Sequence, residues 1–137
     1  MEWLCQSEEE TRRVGELLAP ELSPAGILLL TGDLGAGKTV LAQGIGRGLG
    51  IDPAEIQSPT YTLVREHRGS RGGLVHLDLY RLEAAEVADL GIEEILAGPA
   101  VKVVEWPDRL PFPVSGARHL MIEKLAPTAR RIASVTE

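Results

Sequence analysis

The feature that most constrains the fold of this chain is a glycine-rich segment at residues 32–39, which reads GDLGAGKT. It fits the pattern G-x-x-x-x-G-K-[ST], follows the apolar run Ile27-Leu28-Leu29-Leu30, and precedes a stretch of helical periodicity. Glycines let the backbone turn tightly and bring its N–H groups around an anion, and a helix N-terminus adds a positive dipole end. The segment therefore predicts a strand, a phosphate-binding loop and a helix, in that order.

Two side chains at the end of this segment have chemistry suited to a nucleoside triphosphate. We expect the Lys38 ammonium to neutralise β- and γ-phosphate oxygens and the Thr39 hydroxyl to bind Mg²⁺. The alternative is an ordinary glycine-rich turn without a ligand. Because an apolar strand precedes the segment and a helix follows it, we favour the phosphate loop.

The remaining periodicity predicts an α/β fold in which helices flank a mostly parallel sheet with antiparallel edge strands. The predicted helices span residues 7–18, 38–49 and 83–96, with a break near Gly91. The predicted strands span residues 26–31, 60–66, 73–80, 100–105, 119–124 and 130–136. Pro20 and Pro24 are expected to end the first helix. The second helix contains three glycines that disfavour it by propensity and that we expect to pack closely on the sheet: Gly44, Gly46 and Gly48.

Composition and charge narrow the class of protein. The chain has 137 residues, with 14 basic and 20 acidic side chains, for a net charge of −6. We expect one domain over residues 1–137, and the acidic balance argues against nonspecific binding to a nucleic-acid backbone. A single cysteine excludes an internal disulfide framework, no apolar run approaches a membrane span, and the N-terminus lacks a signal-peptide pattern. The sequence thus predicts a soluble, cytoplasmic protein without a membrane partner.

Two acidic residues close apolar stretches that read as later strands. Asp78 follows Leu-Val-His-Leu, and Glu105 follows Val-Lys-Val-Val. In a parallel sheet the carboxyl ends of the strands line the ligand crevice, so both carboxylates are candidates to bind Mg²⁺ and to orient or activate a water. The alternative for each is a structural role, as a helix cap or as the partner of an arginine. The residues alone do not decide which acid binds the metal directly.

A hydroxyl-rich segment, Ser58-Pro59-Thr60-Tyr61-Thr62, lies between the phosphate loop and Asp78. In nucleotide switches a hydroxyl in this region senses the γ-phosphate and its metal ion, and Thr60 is the candidate here. The alternative is a polar turn that leads into a strand.

Histidines and arginines give weaker signals. The three histidines lack the spacing of a zinc site with cysteine, and we expect His76 to pack beside the sheet and hydrogen-bond locally rather than to transfer a proton. Four arginines either form a local basic patch or are separate solvated side chains, and the second interpretation is favoured. They are Arg65, Arg68, Arg71 and Arg81.

The absence of two sequence motifs typical of GTPases indicates which nucleotide to expect. GTPases with this loop usually read guanine through an Asn-Lys-x-Asp segment, but this chain has no asparagine and no Asp-x-x-Gly switch. ATP is therefore the expected nucleotide. Besides an ATPase, a small-molecule kinase and a nucleotide-dependent binding module without useful hydrolysis remain open, although short connections leave little room for the lid of a kinase.

Four segments, in this order, resemble one family. They are the GDLGAGKT loop, Ser58-Pro59-Thr60-Tyr61, the run HLDLYRL that begins at His76, and Val104-Glu105-Trp106-Pro107. Their order and spacing, from about Ser7 to Arg130, resemble the TsaE (YjeE) family, bacterial ATPases of tRNA threonylcarbamoyladenosine biosynthesis. The resemblance implies a single-domain P-loop NTPase fold.

The resemblance also implies an activity, cofactors and partners. The family binds ATP and Mg²⁺, hydrolyses ATP weakly alone, and acts with TsaD- and TsaB-type proteins. Those partners transfer a threonylcarbamoyl group to the adenine beside the anticodon of certain tRNAs. Hydrolysis is expected to reset that complex between turnovers, and contact with tRNA is expected to be indirect, through the complex.

Residue by residue, the resemblance assigns roles to the matching positions. Thr39 and Glu105 match metal ligands, Asp78 matches the catalytic acid beside the metal, and Thr60 matches the switch. Trp106 is expected beside the nucleotide, Ser7 near its base, and Arg130 is a further candidate. The implied phosphate-binding residues are Leu34, Gly35, Ala36, Gly37, Lys38 and Thr39.

Overall fold

A computed structural model describes residues 1–56 and 64–135 of the chain. The strands are β1 (Glu2–Cys5), β2 (Ile27–Thr31), β3 (Val64–Gly69), β4 (Gly72–Asp78), β5 (Val101–Glu105), β6 (Arg118–Lys124) and β7 (Arg130–Ser134). The helices are α1 (Glu8–Leu22), α2 (Lys38–Gly48), α3 (Ala84–Ala88) and α4 (Ile92–Leu96), and short 3₁₀ turns cover Pro53–Glu55 and Pro107–Arg109. In these two ranges, no helix has the length and apolar character needed to cross a membrane.

The strands form one mixed sheet of seven strands in the order β1-β7-β6-β2-β5-β4-β3. The central strands β6, β2, β5 and β4 are parallel to one another, whereas β3 pairs antiparallel with β4, β7 with β6, and β1 with β7. The α/β class and the antiparallel edges are confirmed. "Mostly parallel" holds only for the centre, because the β3–β4 and β6–β7 connections are local hairpins, which pair antiparallel. Strand β1 was not predicted, since four residues show too little alternation, and it pairs with β7.

Side chains cover the sheet on both faces. Helices α1 and α2 pack on one face, where the core includes Leu18, Leu41 and Ile45 together with Leu30 and Val103 of the strands. A second cluster contains Val87 and Leu96, with residues such as Leu77 and Val104 on the opposite face. Successive side chains of a strand point to opposite faces of the sheet, so the two faces carry separate cores. Only the first core includes residues of α2, the helix that follows the glycine loop.

Gly44 and Gly48 of α2 contact α1 rather than the sheet, so the predicted partner was wrong. A Cβ atom on Gly44 would overlap the carbonyl oxygen of Arg12, and one on Gly48 would lie 2.6 Å from the Cβ of Ala19. Gly46 instead faces the side chain of Ile56. The close approach of the helices offsets the poor helix propensity of glycine, and it fixes the N-terminus of α1 beside the glycine loop.

Helix α1 continues past its first proline, contrary to prediction. Pro20 lies inside the helix, which ends at Leu22 before Ser23 and Pro24. An interior proline costs about 3 kcal/mol, whereas burial of one leucine contributes roughly 1.5–3 kcal/mol. Because Ala19 and Leu22 are both buried in the core, tertiary packing offsets the cost of the proline.

Candidate nucleotide-binding site

The carboxyl ends of three parallel strands meet at one edge of the sheet. In the strand register, Asp78 of β4 lies opposite Glu105 of β5, and Glu105 lies opposite Leu30 of β2. Strand β2 ends at Thr31, immediately before the glycine loop. The structure therefore brings the two predicted acids and the loop to the same edge.

The loop has the backbone conformations that its glycines were expected to supply. Gly35 and Gly37 have φ angles of 77° and 106°, in the left-handed region that favours glycine. Gly37 is the N-cap residue of α2, and no side chain caps this helix. The first N–H groups of α2 are thus left for another acceptor, at the positive end of the helix dipole.

Lys38 is a buried cation without an ion-pair partner among the described residues. Its side chain is 5% exposed, and Nζ donates a hydrogen bond of 2.6 Å to the carbonyl oxygen of Gly32. Burial lowers the pKa of Lys38, and the nearby carboxylates, Glu105 first, oppose that shift. A buried ammonium is unfavourable unless an anion compensates it, so this position is suited to bind one.

The two acids differ in their surroundings. Glu105 is 3% exposed, and its Oε2 accepts a hydrogen bond of 2.5 Å from Nε2 of the fully buried His76. Asp78 is partly exposed, and its Oδ1 accepts a bond of 3.0 Å from the backbone N–H of Tyr80. Burial raises the pKa of Asp78, and the charge of Glu105 adds to this rise. His76 was expected to pack beside the sheet and to hydrogen-bond locally, but it lies within β4 and bonds Glu105 of the neighbouring strand, because parallel pairing brings residues from distant parts of the chain together.

Trp106 lies against the loop lysine. Its ring centroid is 3.9 Å from Nζ of Lys38, and the Tyr80 ring lies 4.8 Å from it at a tilt of 42°. Among the described residues, Trp106 is the one non-glycine residue with a positive φ, at 60°. Such strain persists only where neighbouring contacts hold it, and here it turns the chain directly after Glu105.

Two further candidates meet at a cavity beside the loop. The cavity has a volume of about 470 Å³, and its lining includes Ser7, Gly37, Val40 and Arg130. Ser7 is the N-cap residue of α1, where its hydroxyl accepts from the backbone N–H of Glu10 at 3.2 Å. Arg130 donates from Nε to the carbonyl oxygen of Ala36 at 2.8 Å. The structure thus brings both residues to the loop from distant parts of the sequence.

Other predicted residues lie elsewhere or outside the described ranges. Thr60 falls within residues 57–63, which the structure does not describe. The four arginines do not form one patch. Arg65 and Arg68 alternate to opposite faces of β3, Arg71 lies in the hairpin turn, and Arg81 follows the other end of β4.

The donor set at this edge suits magnesium. Thr39 is the second residue of α2, and its hydroxyl, with the carboxylates of Asp78 and Glu105, would supply hard oxygen donors. In the described part of the chain, no group of three or more His, Cys, Asp or Glu side chains could hold a metal ion.

The contacts of Tyr80 with Trp106 and of Arg130 with the loop carbonyls were not predicted from the residues. The first needs β4 and β5 to lie side by side, and the second needs strand β7 to lie beside β6. For Tyr80 the sequence holds no signal. Arg130 was found only through the family resemblance.

Comparison with known proteins identifies the family. The family model described as "Threonylcarbamoyl adenosine biosynthesis protein TsaE" matches residues 5–132. The chain is similar to a tRNA threonylcarbamoyladenosine biosynthesis protein TsaE of Synechocystis sp., with 49% identity over 115 residues, covering 81% of this chain and 73% of the relative. It is also similar to the protein of that name from Mycobacterium bovis, with 39% identity over 137 residues, covering 92% of this chain and 80% of the relative.

A solved structure has the same architecture. The crystal structure of Bacillus subtilis YdiB aligns with a TM-score of 0.75 and 30% identity, covering 98% of this chain and 83% of that chain. The likeness extends over the sheet and both helical layers, and the family model covers all four segments on which the sequence resemblance was based. The chain belongs to the TsaE family of threonylcarbamoyl adenosine biosynthesis proteins.

Proposed function

We propose that this protein is a P-loop NTPase that binds ATP with Mg²⁺ and hydrolyses it weakly when alone. The observation that carries the proposal is the buried Lys38 ammonium, which lies at an uncapped helix N-terminus and has no carboxylate in ion-pair contact among the described residues. A triphosphate would bring negative charge into direct contact with this ammonium. The backbone N–H groups of residues 34–39 would bind its oxygens, as in other loops of this pattern.

The cavity of about 470 Å³ is the proposed site of the nucleoside. It adjoins Gly37 at the start of α2, so a nucleotide whose phosphates lie in the loop can extend into it. Ser7 and Arg130, which both line this cavity, would contact the base and ribose. Because α1 packs closely on α2 at Gly44 and Gly48, the packing of these helices holds Ser7 in place relative to the loop.

Hydrolysis requires a metal ion and a water molecule positioned for attack on the γ-phosphorus. Bound Mg²⁺ would neutralise charge on the β- and γ-phosphate oxygens. Thr39 and Glu105 are the proposed ligands, with Asp78 beside them. Asp78 is partly exposed and lies opposite the buried Glu105, so its carboxylate can reach a water molecule at this edge, and we assign it the attacking water. Thr60 is proposed as the switch residue that senses the γ-phosphate.

The biological role that we propose is tRNA N6-threonylcarbamoyladenosine modification in the cytoplasm. The names of the family and of its relatives support this role. TsaD- and TsaB-type proteins are the proposed partners, and ATP hydrolysis would reset their complex between turnovers. The net charge of −6 supports contact with tRNA through those partners rather than by direct capture.

The test of this proposal measures ATP turnover with and without partners. Turnover should be slow for the protein alone and should rise when TsaD- and TsaB-type proteins are added. Glu105→Ala should abolish the rise and tRNA modification, whereas Arg71→Ala, an exposed charge in the β3–β4 turn, should change neither. Unchanged turnover at partner concentrations that form the complex would contradict the proposed role. Partner binding and tRNA modification that both survive in Glu105→Ala would favour a binding module instead.

A further inference from the structure

His76 is the one fully buried histidine of the described chain, and it contacts a proposed metal ligand. It lies in β4 two residues before Asp78, with 0% exposure. In the register it is opposite Val103, so Glu105 is its diagonal neighbour on the same face of the sheet. The Nε2 of His76 meets Oε2 of Glu105 at 2.5 Å, whereas its Nδ1 has no hydrogen-bond partner among the described residues.

The direction of this bond follows from the chemistry of the acid. A carboxylate that binds a metal ion is ionised and only accepts hydrogen bonds, so Nε2 of His76 carries the hydrogen and donates it. The bond engages Oε2 and leaves Oε1 for a metal ion or its water. Ligating carboxylates commonly need such an outer hydrogen bond to hold their orientation.

A purely space-filling role does not account for the residue. A buried imidazole with an unpartnered nitrogen is unfavourable, and an apolar side chain of similar size would avoid that cost. With an apolar residue at position 76, however, Glu105 would remain buried at 3% exposure and would lose the side-chain donor that the described residues provide. The imidazole is therefore explained by what it does for Glu105.

We propose that His76 is a positioning residue, whose Nε2–H bond to Oε2 fixes the Glu105 carboxylate so that Oε1 faces the metal position at the end of β5. The inference rests on the proposed function, because it requires a metal ion bound beside Glu105. It assigns no proton transfer to the imidazole. Its consequence is that metal affinity, and not nucleotide affinity without metal, depends on a donor at the place of Nε2.

Two substitutions separate the donor from the space that the ring fills. The amide nitrogen of glutamine is as many bonds from Cβ as Nε2 of histidine is. The amide nitrogen of asparagine is one bond closer to Cβ. His76→Gln can thus reach Glu105, and His76→Asn cannot. His76→Phe keeps a planar ring without a donor and serves as a second loss-of-donor variant. His67→Gln is the matched control, since His67 faces the same side of the sheet on β3, paired with Leu74 away from the strand ends.

The experiment measures Mn²⁺ binding by electron paramagnetic resonance, with a non-hydrolysable ATP analogue bound to the full-length protein. Thermal unfolding identifies which variants are folded. We expect His76→Asn and His76→Phe to weaken Mn²⁺ binding by about 10- to 100-fold, as for other residues that orient metal ligands. His76→Gln and His67→Gln should stay within about threefold of the wild type. Affinity for the analogue without metal should change less than about twofold in all of them.

The outcomes separate this inference from the proposed function. If the wild type shows no nucleotide-dependent Mn²⁺ binding, the proposed function fails and the inference fails with it. If the wild type binds Mn²⁺ and a folded loss-of-donor variant binds it as tightly, the positioning role is overturned and the proposed function stands. Equal losses in His76→Gln and His76→Asn would also overturn it, since they would show that shape and not the donor matters.

Discussion

The substitution Lys38→Met removes the buried charge of the loop lysine while it keeps an apolar stem of similar length. The Nζ atom of Lys38 is the group expected to meet the phosphates, and the rest of the side chain packs at the start of α2. A hydrogen bond to a charged group contributes about 1.5–3 kcal/mol, which corresponds to a loss of ATP affinity of roughly 10- to 150-fold.

The same substitution should have little effect on the stability of the nucleotide-free protein. Lys38→Met loses the bond from the charged ammonium to Gly32, about 1.5–3 kcal/mol, and the contact with the Trp106 ring, about 0.5–2 kcal/mol. It also relieves the burial of an ammonium that has no ion-pair partner in the described structure, which acts in the opposite direction. Because these contributions oppose each other, we expect the free energy of unfolding to change by less than about 1 kcal/mol.

Thermal unfolding with and without ATP measures both effects in one assay. At a free ATP concentration about 100 times the wild-type Kd, binding stabilises the wild type by about 2.7 kcal/mol. For a chain of this size that is a rise in Tm of roughly 8–13 °C. A variant with about 50-fold weaker affinity gains only about 0.6 kcal/mol, or roughly 2–3 °C. Arg71→Met, which removes an exposed charge, is the control and should respond as the wild type does.

A particular pattern of results would refute this reasoning. If Lys38→Met kept the full ATP-dependent rise in Tm, the lysine would not contact the phosphates. If instead the variant lost several kcal/mol of stability without nucleotide, Lys38 would be a structural residue, and its burial would not indicate a missing anion.

Three further predictions concern Asp78, Lys102 at the other end of β5, and the contact between α1 and α2. Burial raises the pKa of Asp78 above 3.8, so the folded state binds this proton more tightly than the unfolded state does. Proton binding therefore stabilises the fold at low pH, and this stabilisation is lost as the pH rises through the raised pKa. Asp78→Asn should therefore be more stable than the wild type at pH 7. Its ATP turnover should fall by about 100-fold or more. Equal stability of both proteins from pH 3 to 7 would contradict the first expectation. Lys102→Met should destabilise the fold by about 1–3 kcal/mol in denaturant titrations and leave ATP affinity unchanged. Lys102 Nζ bonds two backbone carbonyls at the other end of β5, at 2.8 and 2.6 Å, so the loss of both bonds exceeds the relief of burying an ammonium, whereas Lys38 bonds only one carbonyl. A weakened ATP affinity would contradict this prediction. Gly44→Ala should lower Tm although alanine has the better helix propensity, because the added Cβ would overlap the carbonyl of Arg12. An unchanged Tm would contradict this prediction, since it would show that α1 and α2 can move apart without loss of stability.

The parts of the site that could be predicted have signals within a short stretch of sequence. The glycine loop predicts its own turn, the unbroken apolar run before it predicts a buried strand, and the helical periodicity after it predicts a helix. The acids were predicted because each closes an apolar run, and the parallel register then placed Asp78 opposite Glu105. In each case a local pattern and a general rule on parallel sheets were sufficient.

The parts that could not be predicted depend on contacts between distant residues. The bond between His76 and Glu105 requires the register of β4 and β5, and the position of Arg130 requires β7 to lie beside β6. Pro20 was expected to end a helix because the rule considers the backbone alone, whereas burial of Leu22 supports another turn. The glycines of α2 indicated close packing, but not that the partner was α1.

The most direct test of the central claim is a crystal structure grown with a non-hydrolysable ATP analogue and Mn²⁺, with the metal located by its anomalous scattering. We expect the triphosphate to lie within the backbone N–H groups of residues 34–39, with the Lys38 ammonium turned from Gly32 to the phosphates. The anomalous peak should lie beside Thr39 and Glu105. A nucleotide bound elsewhere, or a metal peak remote from both side chains, would contradict the account.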